Sequence, residues 1–372
     1  MKLLFDLNAT QPLDKAKRHG GGKYGEIIFF RLVETGIEFS CFYDSRKWLN
    51  PDVKQVVSAN NISLFDIAKK DLTAIIRENK FDRIYSSLPK GVRDIRDCEV
   101  YGTIHGLRRV ETPRDSFIHK YKGTLKEYLK IKALDIMGSE LYYRDTIAPL
   151  MADNFHINTV SEHSKNSMYA YYSQMRDKDI KVFYSPNTSS KTPVPSNESA
   201  EKYFLQVSGN RWEKNSLRGV MAFDRLISAG LIENMRMKVT GTDGTIYKYK
   251  LQNPDTFDFL GYVSEEDLEY LYADAYCFLY PSLNEGFGYP PLEAMRYGIP
   301  VICSPFSAIA EVCGSGALYF NPFSVREIMN RMLMMLEPKW HEEYAKKGYE
   351  QYRRIKKLQD EDLDKMIKYI TE

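Results

Sequence analysis

No apolar run in this chain approaches the roughly 18 residues that a membrane span needs, and the N-terminal MKLLFDLN reaches Asp6 before a signal-peptide core could form. A cytosolic chain is expected. Its five cysteines, Cys41, Cys98, Cys277, Cys303 and Cys313, are odd in number, widely spaced and without a CxxC pair. That excludes a disulfide framework and zinc spacing, and leaves reduced core residues. Also absent are a GK[ST] phosphate loop and an HExxH pair, so no Walker-type nucleotidase or zincin is implied. Charge of one sign is lacking too: the net charge is +2, and no nucleic-acid partner is expected. A DxD string, Asp177-Lys178-Asp179, sits in the polar stretch MRDKDIK and is read as a turn rather than a metal site.

With 43% apolar and 27% charged residues among 372, the composition is that of a folded globular protein. The length favours two domains of roughly 150 to 200 residues. Their charges differ: residues 1–185 hold 30 Lys and Arg against 24 Asp and Glu, whereas residues 186–372 hold 22 against 26. An anionic partner for the first half fits that split, as does a solvated basic face.

Apolar runs of strand length alternate with helical patterns, as in parallel α/β layers. In the first half the strands are KLLFDL (2–7), EFSCFY (38–43), FDRIYSS (81–87), VYGTIH (100–105) and FHINTV (155–160). Between the first two, GEIIFFRLVETG repeats Ile28/Leu32 and Phe29/Val33 at helical spacing and stops at Gly36. The stretch 186–201 is rich in Ser, Pro and Asn and reads as a linker between a first domain, 1–185, and a second, 202–350. Strands resume at YFLQVSG, MRMKVTG, FDFLGYV, AYCFLYP and IPVICS. From about residue 324 the pattern is helical. Residues 351–372 either cross back onto the first domain or stay with the second.

The most informative segment is PSLNEGFGYPPLEAMRYGIPVICS, which follows the strand AYCFLY. Gly286 and Gly288 permit positive φ and close backbone approach around Phe287, so this turn can aim N–H groups at a ligand. Pro290 and Pro291 suit a helix start. The first free helix donors then fall near Leu292 and Glu293, where a phosphate is stabilised. Glu285 and Glu293 bracket the turn. A turn that reads hydroxyls beside a helix start that reads phosphate describes a nucleotide-sugar site.

This stretch resembles the donor motif of the family 4 retaining glycosyltransferases, E-x7-E within EGFG-x-P-x-LEAM-x-x-G-x-PV, from Pro281 to Val301 and on to Glu311. The resemblance implies a GT-B fold, two Rossmann-like domains facing each other across a cleft. It implies Glu285 beside the donor sugar and Glu293 on the ribose hydroxyls, with Tyr262 and Val263 also against the donor. In VSGNRWEKNSL it implies Arg211 and Lys214 on the diphosphate, although this loop is shorter than usual and a pairing of Arg211 with Glu213 is the alternative. The glycine loop HGGGKYGEI, through Gly21 and Gly22, would close on the phosphates. His105 would lie beside the transferred sugar, although the family's T-x-H-D is T-x-H-G in this chain.

The activity so implied is retaining transfer of a sugar from a UDP- or GDP-sugar to a saccharide or lipid-linked saccharide acceptor, in surface polysaccharide assembly. No metal or other cofactor is expected, because cations and helix donors can hold the leaving diphosphate. Between Arg108 and Lys132, basic residues (Arg109, Arg114, His119, Lys120, Lys122, Lys126 and Lys130) interleave with Tyr121, Leu125, Tyr128, Leu129 and Ile131. They suit an anionic membrane at the inner face or a lipid diphosphate, or an ordinary solvated helix. Rival readings are a nucleotide-sugar epimerase of the same fold, a glycogen-type polymer synthase and a non-catalytic sugar-binding protein.

Overall fold

The computed structural model describes residues 1–12, 19–121, 129, 133, 138, 140–187, 202–247 and 251–372. It divides into two units. The first comprises Met1–Leu107, Ser139–Ser190 and Lys356–Glu372, and the second Arg108–Gly138 and Lys191–Ile355. The expected boundary near residue 185 therefore does not enclose one continuous piece, because Arg108–Gly138 groups with the second unit. Ion pairs and ring contacts from that segment to the second sheet's loops, described below, account for this. Lys356–Glu372 groups with the first unit, where Gln359 Nε2 donates to Ser185 O at 2.5 Å and Arg31 pairs with Asp364 at 2.6 Å.

In the first unit, β1 (Leu3–Asp6), β2 (Phe39–Tyr43), β3 (Leu64–Asp66), β4 (Arg83–Ser86), β5 (Glu99–Ile104), β6 (Phe155–Thr159) and β7 (Lys181–Val182) form one sheet. Its order is β3-β2-β1-β4-β5-β6-β7, and every pair is parallel. Leu3, Leu4 and Phe5 are all essentially inaccessible, as a central strand covered on both faces requires. Burial of each such side chain contributes about 1.5–3 kcal/mol. The second unit holds β8 (Lys202–Gln206), β9 (Met235–Thr240), β10 (Phe257–Gly261), β11 (Cys277–Tyr280), β12 (Val301–Cys303) and β13 (Ala317–Tyr319), ordered β10-β9-β8-β11-β12-β13 and also parallel. Both sheets follow the 3-2-1-4-5-6 order of dinucleotide-binding folds. Each reverses its winding beside its first strand, which is where such sheets bind ligands. All five cysteines are free and buried. The short strands β3, β7 and β13 were not expected from periodicity.

The glycine loop differs from expectation. The helix Gly20–Glu34 already includes Gly20, Gly21, Gly22 and Gly25, because His19 caps it: His19 Nδ1 accepts from Gly22 N–H at 2.9 Å. A Cβ at Gly22 would lie 2.7 Å from Thr10 O, and one at Gly25 would lie 2.5 Å from Ser87 Oγ. The glycines thus let a helix start lie against the ends of β1 and β4.

At the end of β1, Asp6 is fully buried and accepts from Ala9 N–H at 2.9 Å and Ser86 Oγ at 2.6 Å. Burial pushes its carboxyl up to about 6, against those hydrogen bonds. Between its ordinary value near 3.8 and about 6, the native chain holds more protons than the unfolded one, so stability falls as pH rises through that window and levels off above it. The contribution is at most about 3 kcal/mol. Urea titrations from pH 4 to 7 should show this fall in the parent and lose it in Asp6→Asn; equal slopes would refute the assignment.

Candidate active site

Parallel strands deliver their following loops to one sheet edge. In the second unit, the loop after β8 carries Arg211 and Lys214, and the loop after β11 carries Glu285. β8 and β11 are hydrogen-bonded neighbours at the point where the strand order reverses. Asn215 sets the first loop: it adopts a left-handed conformation (φ 54°), and its Nδ2 donates to Pro281 O at 3.2 Å and Pro322 O at 2.7 Å. Glu285 is fixed by Ser307, whose Oγ accepts from the Glu285 N–H at 2.7 Å. Ser307 has φ +55° and ψ −143°, a costly conformation for a residue with a Cβ, of the sort that clusters at binding sites.

The two loops meet in a buried ion pair. Glu285 and Lys214 are each 6% exposed, and Lys214 Nζ donates to Glu285 Oε1 at 2.6 Å. The same oxygen accepts from Tyr280 Oη at 2.7 Å and Ser282 Oγ at 2.6 Å, and Lys214 also donates to Tyr280 Oη at 2.6 Å. Oε2 accepts from Arg108 Nη2 at 3.2 Å. Burial would raise the Glu285 carboxyl, but Lys214 and Arg108 outweigh it and hold it at about 2. Burial lowers the Lys214 ammonium, with Glu285 opposing and Arg211 and Arg108 adding to the fall. Stripping water from each ion costs several kcal/mol, and an apolar pair of the same volume would serve stability as well or better. The pair is therefore best understood as chemistry the site retains.

Arg211 is more exposed and pairs with Glu213 at 3.3 Å, the alternative weighed from the sequence. Gly288 caps the helix Tyr289–Arg296 with φ +116°, which only glycine adopts without strain. Phe287 and Leu292 are buried, so near this helix start they offer backbone rather than side chains. Half-buried Glu293 lies beside the Tyr272 phenol, which burial and that carboxylate both push up. Tyr262 is 92% exposed and Val263 partly so.

Gly21, Gly22 and His105 belong to the first unit and come together there. His105 Nε2 lies 3.0 Å from Ser87 O, and the His105 ring meets Tyr24, from the glycine-start helix, edge-on at 4.8 Å. A Cβ at Gly21 would touch Leu88 at 2.9 Å. Sequence reasoning missed Arg108, Tyr280, Ser282 and Ser307; only the Ser in SLNEG, three residues before Glu285, carried a local signal.

Among the described residues, no group of three or more His, Cys, Asp or Glu side chains is placed to hold a metal ion. The string Asp177-Lys178-Asp179 closes a 3-10 turn, with Lys178 Nζ on Ala152 O at 2.6 Å. No described helix is long and apolar enough to cross a membrane. Of the basic stretch, Lys122, Lys126, Lys130 and Lys132 lie outside the described residues.

Residues 189–354, which carry Lys214, Glu285 and Glu293, match the family model described as "Glycosyl transferases group 1". This segment is similar to the group 1 glycosyltransferase domains. The chain is 32% identical over 227 residues to the O-antigen chain mannosyltransferase RfbU of Salmonella typhimurium, covering 59% of this chain and 56% of that protein. It is 46% identical over 94 residues to the O-antigen chain mannosyltransferase B of Escherichia coli, a quarter of each chain. This chain thus spans about half, or less, of the length of these relatives. The fold extends further than the sequence likeness. The sucrose-phosphate synthase of Thermosynechococcus elongatus superposes with a TM-score of 0.70 at 15% identity, over 99% of this chain and 98% of that one. The GT-B class implied by the sequence is thereby the class of this fold, and the buried Lys214–Glu285 pair lies inside the segment that matches the group 1 model.

Proposed function

We propose that this protein transfers a sugar, mannose being the first candidate, from a nucleoside diphosphate donor to a saccharide or lipid-linked saccharide acceptor in surface polysaccharide assembly. The observation that carries the reading is the Lys214–Glu285 pair, buried at the switch point of the second sheet within the group 1 domain. Mannose is favoured by two mannosyltransferase relatives.

As the anomeric carbon–oxygen bond breaks, negative charge grows on the departing diphosphate and positive charge on the sugar. Fixed charges aimed at those positions lower the barrier most. Lys214 and Arg211 supply cations on one loop, and the helix start after Gly288 supplies backbone donors. In this reading Glu285, kept ionised by its partners, accepts a hydrogen bond from a sugar hydroxyl and opposes the growing positive charge. On the same reading, Glu293 accepts hydrogen bonds from the ribose hydroxyls. The acceptor oxygen bonds to the anomeric carbon on the face the diphosphate leaves and gives its proton to the departing phosphate oxygen, so the configuration is retained, and Lys214, Arg211 and the helix donors stand in for a divalent ion. The basic excess of residues 1–185 suits an anionic acceptor at a membrane face.

A thermal-shift screen over GDP- and UDP-sugars should raise the melting temperature with one donor, by mass action. With that donor, product anomers read by NMR should keep the donor configuration, and turnover should survive excess EDTA. Adding anionic vesicles should raise turnover at low salt and lose that effect as salt screens it. Absence of any donor shift would sink the reading; an inverted product would sink retention, and EDTA loss restored by Mn²⁺ would sink metal independence.

A further inference from the structure

We propose that Arg108 is a third cation of the diphosphate site: it pairs with Glu285 and passes to the β-phosphate when a donor binds. The inference rests on the donor-site reading above and adds a residue to it from outside the segment that matches the family model.

Glu285 Oε1 is fully engaged by Lys214, Tyr280 and Ser282 at 2.6–2.7 Å. Arg108 reaches only the other oxygen, through one nitrogen, at 3.2 Å. That is long for a charge-assisted hydrogen bond, which ordinarily closes to 2.7–2.9 Å. The guanidinium is otherwise poorly matched: its Nε is buried and has no hydrogen-bond partner. A planar fork held by one long contact is underused, and the ligand that suits such a fork is a phosphate or carboxylate taken through two nitrogens. Two cations on one carboxylate also leave a positive charge over. It lies on the open side, since the Arg108 side chain is 39% exposed against 7% for Lys214.

The backbone carrying Arg108 is anchored, so the side chain can move alone. In the helix Arg108–Glu111, Glu111 accepts from Asn284 Nδ2 at 2.8 Å. Further on, Asp115 pairs with Arg218, and the Arg218 guanidinium lies 3.6 Å over the Phe117 ring. Tyr121 Oη accepts from Leu217 N–H at 2.6 Å. These contacts tie the segment to both loops of the site. Once a sugar hydroxyl engages Glu285, Arg108 is the adjacent cation with donors to spare for the terminal phosphate of the nucleotide.

Calorimetry on the full chain with GDP against GMP, and UDP against UMP, tests this directly. Arg108→Gln should weaken whichever diphosphate binds by about 10- to 100-fold, as loss of a charge-assisted contact predicts, and leave the monophosphate within about twofold. Arg108→Lys should restore part of the difference, and Arg109→Gln should change neither. Equal weakening of mono- and diphosphate, or none for the diphosphate, would mean that Arg108 only clamps Glu285 and would overturn the proposal. A parent protein that binds none of the four nucleotides overturns the donor-site reading and this proposal with it. If Arg108→Gln does not fold, the Arg108→Lys comparison decides alone, because a clamp role predicts no diphosphate selectivity in its loss.

Discussion

Glu285→Ala should cut sugar transfer by ~10²-fold or more and also destabilise the second unit by about 3 to 5 kcal/mol, because it leaves the Lys214 ammonium buried without its counter-ion. The catalytic loss follows from removing a charge held in place before reaction begins: Glu285 accepts four hydrogen bonds, three on one oxygen, and has no freedom to reorganise. Stability and activity are separable by a pairwise test. Lys214→Met alone should also lose transfer by ~10²-fold. Combined with Glu285→Gln, it should recover much of the stability lost in either single variant and none of the activity. Urea unfolding and initial rates on the four proteins measure both. Near-normal turnover in Glu285→Ala would remove this residue from the reaction. With its carboxyl held at about 2, Glu285 contributes stability that is complete above its ordinary carboxylate range and is lost only as pH falls through about 2. An acid limb of activity above pH 4 therefore belongs to another group.

Gly219→Val should lower the stability of the second unit by about 3 kcal/mol, at the upper end for overpacked cores. Gly219 lies in the helix Ser216–Ser228, which begins directly after the loop that holds Lys214. A Cβ there would sit 2.1 Å from Gln206 Oε1 and 2.8 Å from Leu279 Cδ2, side chains of β8 and β11 that are 1% and 0% exposed. Two effects compete on substitution. Alanine gains about 1 kcal/mol of helix propensity, and a turn of the flexible Gln206 amide relieves only one of the two contacts its Cβ would make. Valine adds two methyl groups against Leu279, which has nowhere to go, so the clash wins. Calorimetry should show a drop of ~6–12 °C in the unfolding transition and a rise in KM for the donor as the Lys214 loop shifts. An unchanged transition would mean that the helix can withdraw from the sheet at little cost.

The alternation of strands and helices, and the glycine turn before the helix Tyr289–Arg296, were legible in the sequence because both are written in near neighbours. Leu3, Leu4 and Phe5 form a continuous apolar run because both faces of β1 are covered, and ten strands were visible as runs of that kind. Three escaped. β3, β7 and β13 have three, two and three residues, too few for periodicity to register. Glycine marked Gly288 correctly, since positive φ excludes most other residues. It misplaced the start of the first helix, because the glycines there permit close packing rather than a loop, and that depends on Thr10 and Ser87 lying opposite.

Spacing alone determined that Glu285 and Glu293 flank a turn and a helix start. Only tertiary structure decided what neutralises Glu285: Lys214 is 71 residues away and Arg108 is 177 away. A single arginine has no period and no fixed offset from its partner, so nothing along the chain distinguishes Arg108 from Arg109. The same holds for the grouping of Arg108–Gly138 with the second unit, set by contacts such as Asp115 with Arg218 and Tyr121 with Leu217. Local conformation is encoded over a few residues by steric and capping preferences. The charge balance of a buried site depends on which distant side chains the packed sheets bring within about 3 Å, the reach of a hydrogen bond.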